Sequence, residues 1–294
     1  MNKILKTSIA FLLLMAVMSI PACNKNNSQS DASDSNIHSG RKNIECLYYN
    51  SLDFINIPDY ELNAGTVQGC IVPHHLLAKD LIHEVFQNVR KNKYKTVVLI
   101  GPDHESTDRG KVFTTLSSWQ TPTGILETDG ELTQQLMKLS FVKEDDDKLT
   151  IEHSTSSIIP FINYYLKDVK VVTLVLTKQL KLSDMEALTD ALHDNITPDE
   201  TLFVASVDFS HYLSLDEADK MDLISMDAIQ NNNINKIMSF TNDNLDSPIS
   251  IVSMLNVMDK TGASKKMVLN RSNSELILKR EFDETTSYIT YLFY

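Results

Sequence analysis

Leu202-Phe203-Val204-Ala205-Ser206-Val207-Asp208-Phe209-Ser210-His211-Tyr212 is the stretch whose reading decides the fold. Its first six residues form a short apolar run of the kind found in a strand buried on both faces, and the run stops abruptly at Asp208 and His211. In an open α/β sheet the loops leaving the carboxyl ends of the strands line one crevice, so polar residues that follow buried strands converge there. The same design recurs twice upstream. Val67 to Pro73 predicts a strand that delivers His74 and His75, and Thr96 to Ile100 predicts one followed at once by Gly101-Pro102-Asp103-His104. One histidine after a strand is ordinarily a satisfied polar group, whereas three strand ends built this way form a constellation.

Between these strands the spacing predicts helices. Leu77, Leu81, Ile82, Val85, Phe86 and Val89 recur at helical period within residues 76–91, which places His83 at a surface or boundary position. Lys111 to Leu116 reads as a strand, Thr121-Pro122-Thr123-Gly124 as a turn, Asp129 to Leu139 as a helix, and the acidic run Glu144 to Asp147 as a solvated loop. Glu152-His153-Ser154 stands at the mouth of a helix expected to begin between Thr155 and Pro160. Val169 to Leu176 is another buried strand. Ser183 with Glu186 and Ser214 with Glu217 are capping-box patterns opening helices toward Leu192 and Ile229. Ser247-Pro248 opens a helix through Asp259 with Gly262 near its end, and Tyr288 to Tyr294 alternates as an edge or antiparallel strand. Strands alternate with helices along most of the chain, which defines an α/β fold with a mixed, mostly parallel sheet and helices on both faces.

With 294 residues and 42% hydrophobic content, the chain can bury a sizeable core. Residues 1–22 differ in character: Lys3 and Lys6 precede the apolar run Ile9 to Val17, and Ile20-Pro21-Ala22-Cys23 ends in a small residue before cysteine. This is a secretory signal of the lipoprotein kind, with Cys23 as the lipidated first residue of the mature chain; the alternative is plain secretion with cleavage near Ala22. From Cys23 to Asn43 the composition, rich in Asn, Ser, Asp and Lys, reads as a flexible tether in which His38 has no role, and residues 44–294 form one α/β domain. Loss of Lys3 and Lys6 takes the net charge from −12 to −14, which repels nucleic acid and anionic lipid surfaces. Membrane attachment is therefore expected through the lipid, on the extracytoplasmic side of a bacterial cell envelope. Cys46 and Cys70 are read as buried, unpaired thiols, with a single disulfide as the alternative.

Neutral imidazoles converging with a carboxylate make a metal site of the zinc or non-haem iron type. A histidine that is not a ligand serves beside such a metal as a general base, a role that suits His211 with Asp208. Glu152 and His153 are candidates for the same pocket. The bland alternative is that Asp103 and Asp208 cap loops while the histidines bond to backbone. Asp208, Ser210 and His211 are also the residue types of a serine triad, but three neighbours on one short loop do not align their side chains, and no nucleophile-elbow or phosphate-loop glycine pattern occurs.

At these residues the chain resembles the Memo-like family, whose bacterial members are called AmmeMemoRadiSam system protein B. Gly69-Cys70-Ile71-Val72-Pro73-His74, Gly101-Pro102-Asp103-His104, Glu152-His153-Ser154 with Pro160-Phe161, and Asp208-Phe209-Ser210-His211 are similar to that family's motifs and appear in its order. The resemblance implies a fold like that of class III extradiol dioxygenases, which hold non-haem iron. It makes His74 and His104 metal ligands and sets Asp208 and His211 beside the metal. The family places a cysteine shortly before a Pro-Ile pair; here residues 243–249 contain none, leaving Asn244 and Asp246 as candidate third ligands. Asp246 would complete a two-histidine, one-carboxylate set suited to iron(II), with copper or zinc as alternatives. His75 stands where the family has a small residue, and Ser156 where it has glutamate. Two functions follow as expectations: oxidative, dioxygenase-like chemistry on an unknown small molecule or peptide, or a non-catalytic binding or scaffold protein whose pocket has lost its metal. The family name also implies a link to radical-SAM and AMMECR-like proteins, which an exported chain does not meet directly if they are cytosolic.

Overall fold

The computed structural model describes residues 40–61, 65–105 and 110–294. The segment expected to be a signal peptide, Cys23, His38 and most of the expected tether lie outside the described residues. In chain order the strands are β1 Ile44–Glu45, β2 Gly69–Val72, β3 Thr96–Pro102, β4 Val112–Thr114, β5 Trp119–Thr121, β6 Gly124–Leu126, β7 Val142–Glu144, β8 Lys170–Leu176, β9 Thr201–Ser206, β10 Lys266–Asn273 and β11 Ser287–Phe293. The helices are α1 Lys79–Val89, α2 Gly130–Leu136, α3 Asp146–Ile151, α4 His153–Ser156, α5 Ile159–Tyr165 and α6 Leu182–Asn195. They continue as α7 Leu215–Gln230, α8 Ile234–Ile237, α9 Pro248–Thr261 and α10 Ser274–Leu278.

Eight strands form one sheet in the order β10-β11-β2-β9-β3-β8-β4-β7, and β1-β5-β6 form a small second sheet. The centre is parallel: β9 pairs with both β2 and β3, and β3 pairs with β8, so the carboxyl ends of all four share one edge. Alternation along β3 sends Val97 and Leu99 to one face, where they pack with Phe86 of α1 and Phe161 of α5. Val98 and Ile100 go to the other, against Leu188 of α6 and Val252 of α9. Both faces are covered by helices, which is why the strands read as continuous apolar runs. Among the described residues, no helix is long and apolar enough to cross a membrane.

The mixed, mostly parallel sheet agrees with the sequence reading, and four local expectations are corrected. His83 is buried, not at the boundary: its Nδ1 meets the Tyr165 hydroxyl at 2.9 Å and its Nε2 the Asp53 carbonyl at 2.8 Å. The acidic run is no solvated loop. Asp145 caps α3 by accepting from Lys148 N at 2.9 Å, and Asp146 accepts from the hydroxyls of Thr115 and Ser117 at 2.6 and 2.7 Å. Within the polar triplet His153 and Ser154 are already helical, because Glu152 caps the short α4 by accepting from Ser154 N at 2.8 Å, while the next helix, α5, begins at Ile159 inside the expected bounds. At α6 the carboxylate that reaches back is Asp184, on Lys181 N at 3.0 Å, so the helix starts two residues earlier than Ser183 and Glu186 imply. The last strand, β11, is antiparallel, one of the two expected arrangements, and lies inside the sheet between β10 and β2. Cys46 and Cys70 are free and buried, and burial pushes the Cys46 thiol up to about 12.

Candidate metal centre

The carboxyl edge of β2, β3 and β9 gathers the histidines. His74 follows β2, His104 follows β3, and Asp208 follows β9. Two further segments close the site. An antiparallel bridge between Phe209 and Leu245 lays the segment before α9 beside the end of β9, so that Asp246 N donates to the Asp208 carbonyl at 3.1 Å. Ser154, in α4, packs so tightly over the end of β3 that a Cβ on Gly101 would lie 2.6 Å from its Oγ. That close approach brings Glu152 and His153 to the edge, and it requires glycine.

His74 and His104 each have one ring nitrogen occupied on the outside. Glu152 grips His104 twice, accepting from its backbone N at 2.7 Å and meeting ring Nδ1 at 2.9 Å. Nδ1 therefore carries a proton, and Nε2 faces inward. His74 Nδ1 lies 3.2 Å from the Ser206 hydroxyl, whose own proton is donated to the Ser154 carbonyl. Ser206 thus accepts from His74, and its ring also turns Nε2 inward. Both Nε2 atoms converge on Asp246 Oδ2, at 3.1 Å from His74 and 3.6 Å from His104, while Asp208 Oδ2 is 3.6 Å from His74 Nε2. His153 stacks on His104 with ring centroids 4.2 Å apart.

These donors fit a divalent cation. His74, His104 and His153 form one group whose potential ligand atoms all lie within 4.8 Å of one another, and His74, Asp208 and Asp246 form another. Asp246 Oδ1 is buried without a hydrogen-bond partner. Without a cation, protons must separate the inward nitrogens from the carboxylates. Burial works against charge on His104, but hydrogen bonds to Asp246 and Glu152 outweigh it and raise its pKa to about 10. His74 is raised as well, where Asp208 and Asp246 overcome its burial. Glu152, although buried, is held down to about 2 by His104. His153 is pushed down to about 4 by burial and by charge on His74 and His104, so it is neutral.

The cluster floors a cleft of about 580 Å³ whose lining includes Tyr48, His75, His153, Asp208, His211 and Tyr212. On the other side of His104 and Asp246 lies a second cleft of about 490 Å³, walled by Met238, Phe240 and Ile249. His211 lines the first cleft, and its buried Nδ1 has no hydrogen-bond partner. The Asp208 carboxylate engages His74, at ring and backbone, the latter at 3.1 Å. Asn244 lies outside the cluster, its amide 3.7 Å from Met221 Sδ. Ser210 is no nucleophile for His211, because its hydroxyl is held by buried Asp222 at 2.6 Å. Three contributors were not singled out from sequence. Ser206 is an unremarkable strand residue, Tyr48 arrives from the amino-terminal segment, and buried Lys148 pairs with Asp103 at 2.6 Å, immediately before His104. Only the strand-end rule gave any signal for Ser206.

An open α/β sheet with a buried histidine and carboxylate cluster at its carboxyl edge defines this as an α/β protein with a metal-type centre. The sequence profile of the Memo-like protein family matches residues 41–291, and the chain belongs to that family. It is similar to a MEMO1 family protein of Methanosarcina barkeri, 30% identical over 73% of this chain and 82% of that one. A MEMO1 family protein of Aquifex aeolicus is 28% identical over 70% of this chain and 79% of its own length. Among solved structures, the uncharacterized protein JW3007 from Escherichia coli K12 shares the fold with a TM-score of 0.51 at 11% identity, covering 76% of this chain and 98% of that one.

Proposed function

We propose that the chain is a lipid-anchored, extracytoplasmic Memo-like protein that binds a divalent metal, iron in the first instance with copper or zinc as alternatives, and carries out oxidative, dioxygenase-like chemistry on a small molecule. The observation that carries the reading is the convergence of His74 Nε2 and His104 Nε2 on Asp246 Oδ2, at 3.1 and 3.6 Å. Asp246 supplies the charged third ligand that the missing cysteine would have given, and harder oxygen in place of sulfur favours iron(II) over copper(I). Once bound, the metal supplies a Lewis acid or redox centre. Glu152 fixes the His104 ring through Nδ1, and Ser206 fixes that of His74. His211, which lines the cleft, accepts or returns a substrate proton. Asp208 holds His74 in place and adds negative charge beside the metal.

The second reading, a scaffold that binds without reacting, is favoured by one observation: residues 243–249 contain no cysteine where the family resemblance implies one. Metal analysis after reducing, anaerobic purification tests the first reading. Near-stoichiometric metal is expected, falling to about a tenth or less in His74→Ala, His104→Ala and Asp246→Ala and persisting in Asn244→Ala. Negligible metal in the parent protein, or variants that change nothing, overturns it. Oxygen uptake over a substrate panel separates enzyme from scaffold. Partners remain an extension of the family name: a functional link to radical-SAM and AMMECR-like proteins, and no nucleic acid, as the net charge of −12 argues.

A further inference from the structure

The segment ahead of β2 is fixed along its inner side. Ile44 and Cys46 are buried beside β5, their backbone N atoms donating to the Ser118 and Gln120 carbonyls at 2.9 and 3.3 Å. Phe54 packs against the rings of His83, Phe161 and Tyr164, with centroids 5.6, 4.9 and 5.1 Å away. Lys79, His83 and Gln87 stand one turn apart on α1 and grip the same segment. Lys79 pairs with the Asp53 carboxylate at 2.8 Å, His83 Nε2 meets the Asp53 carbonyl at 2.8 Å, and Gln87 Nε2 donates to the Pro58 carbonyl at 2.7 Å. Held this way, the segment leaves Leu47, Tyr48, Tyr49, Leu52 and Ile55 exposed, Leu52 at 66% and Ile55 at 57%. Single exposed hydrophobics are normal on a protein surface, but five large ones between residues 47 and 55 form a patch. Exposed Ile151, at the end of α3, widens it, since Leu47 shares a shallow cleft with Thr150 and the Tyr48 ring lies 5.8 Å from that of His153. Residues 47–52 are all exposed and uncharged, and the next residue, Asp53, is paired with Lys79.

We propose that the outward side of residues 47–55, together with Ile151, is a membrane-docking surface that rests in the interfacial layer of the bilayer to which the chain is anchored. The inference rests on the lipid-anchor part of the proposed function and adds an orientation to it. Where the chain enters the domain decides the occupant. Taken as the tether its composition predicts, the stretch from Cys23 to Gly40 reaches roughly 20–25 Å. That is little more than the radius of gyration of a domain of this size, about 18 Å. The face on which the chain enters is therefore the face held next to the lipid, and at the high effective concentration a short tether imposes, a weak apolar affinity is enough to keep it there. With a net charge of −12 the attraction has to come from apolar contact, not from anionic headgroups. Leucine and isoleucine side chains supply that contact, and Tyr48 and Tyr49 are of the type that settles between headgroups and acyl chains. Tyr48 also lines the cleft over the histidine cluster, so a docked chain would hold the mouth of that cleft at the membrane surface.

The test uses the mature chain as isolated from cells, in phosphatidylcholine vesicles that carry a nitroxide-labelled lipid as quencher. A polarity-sensitive fluorophore is attached at Leu52→Cys, or at Asp190→Cys on α6, a helix that packs on the opposite face of the sheet; the native Cys46 and Cys70 are buried out of the reagent's reach. The label at position 52 is expected to shift its emission to shorter wavelength and to be quenched, and the label at position 190 to do neither. With the label moved to Leu47→Cys, the pair Leu52→Asp and Ile55→Asp is expected to abolish the quenching; both positions are exposed, so the fold tolerates the change. Labels at 52 and 190 that behave alike, or quenching that survives the two aspartates, overturn the proposal. So does a label at 52 that responds to protein concentration and not to lipid, which gives the patch to a second copy of the chain. The mass of the mature amino terminus, measured on the same samples, keeps the two failures apart. A lipidated chain without quenching at 52 sinks only the docking surface, and an unlipidated chain that is still quenched on added vesicles sinks only the anchor.

Discussion

His104 is the residue on which the centre turns. Glu152 holds its ring Nδ1 and its backbone N, and Asp246 waits 3.6 Å from the opposite nitrogen. The sign of its pH dependence follows from that arrangement. With a pKa raised from 6.5 to about 10, the imidazolium contributes stability to the metal-free fold that is complete below about 6.5 and is lost as pH rises through about 10. A metal must displace that proton. Binding therefore releases at least one proton per metal across the neutral range, and apparent affinity should rise by about tenfold or more per pH unit until His104 deprotonates unaided. Calorimetry in buffers of different ionisation enthalpy checks this directly; heats that do not depend on the buffer, with a flat affinity profile, contradict it.

At the scale of elements, the centre depends on how closely α4 seats on β3. A methyl group at Gly101 would meet Ser154 Oγ at 2.6 Å and Thr155 Cγ2 at 2.9 Å, and Ser154 is itself fixed by donating to the Pro102 carbonyl at 2.7 Å. Gly101→Ala should cost about 1–3 kcal/mol, read as a lower thermal midpoint, and should also lower metal content although no ligand has changed. Unchanged stability and metal would show that α4 has room to shift. The central strands were legible because burial on both faces leaves an unbroken apolar run, and the histidines because each terminates one. The three-residue β5 to β7 carry too few positions for a period, and in β10 the short apolar run Met267-Val268-Leu269 is followed by the polar Asn270-Arg271-Ser272-Asn273 on a half-exposed flank. Likewise, nothing local in Asp246 distinguishes it from Asn244. The choice between them is made by the Phe209–Leu245 bridge, a pairing between distant segments that no spacing encodes.

For the whole molecule, the acidic balance of −12 and the Ala22-Cys23 pair lead to one expectation about place. The chain should partition with membranes, and Cys23→Ala should release it to the soluble fraction or leave it unprocessed, as detergent-phase partitioning and the mass of the mature amino terminus would reveal. A soluble parent protein contradicts this. The order of strands adds a consequence in time. Strand β2, which supplies His74, takes its neighbours from β9, with Gly69 opposite Phe203, and from β11, with Ile71 opposite Tyr291. An emerging polypeptide cannot complete that neighbourhood until nearly all of its described length has left the ribosome, and pairings between such remote segments are slow to form. The histidines of the centre are therefore made early and brought together last. A chain that stays open this long would suit the proposed export in unfolded form, with the proposed metal taken up only in the destination compartment.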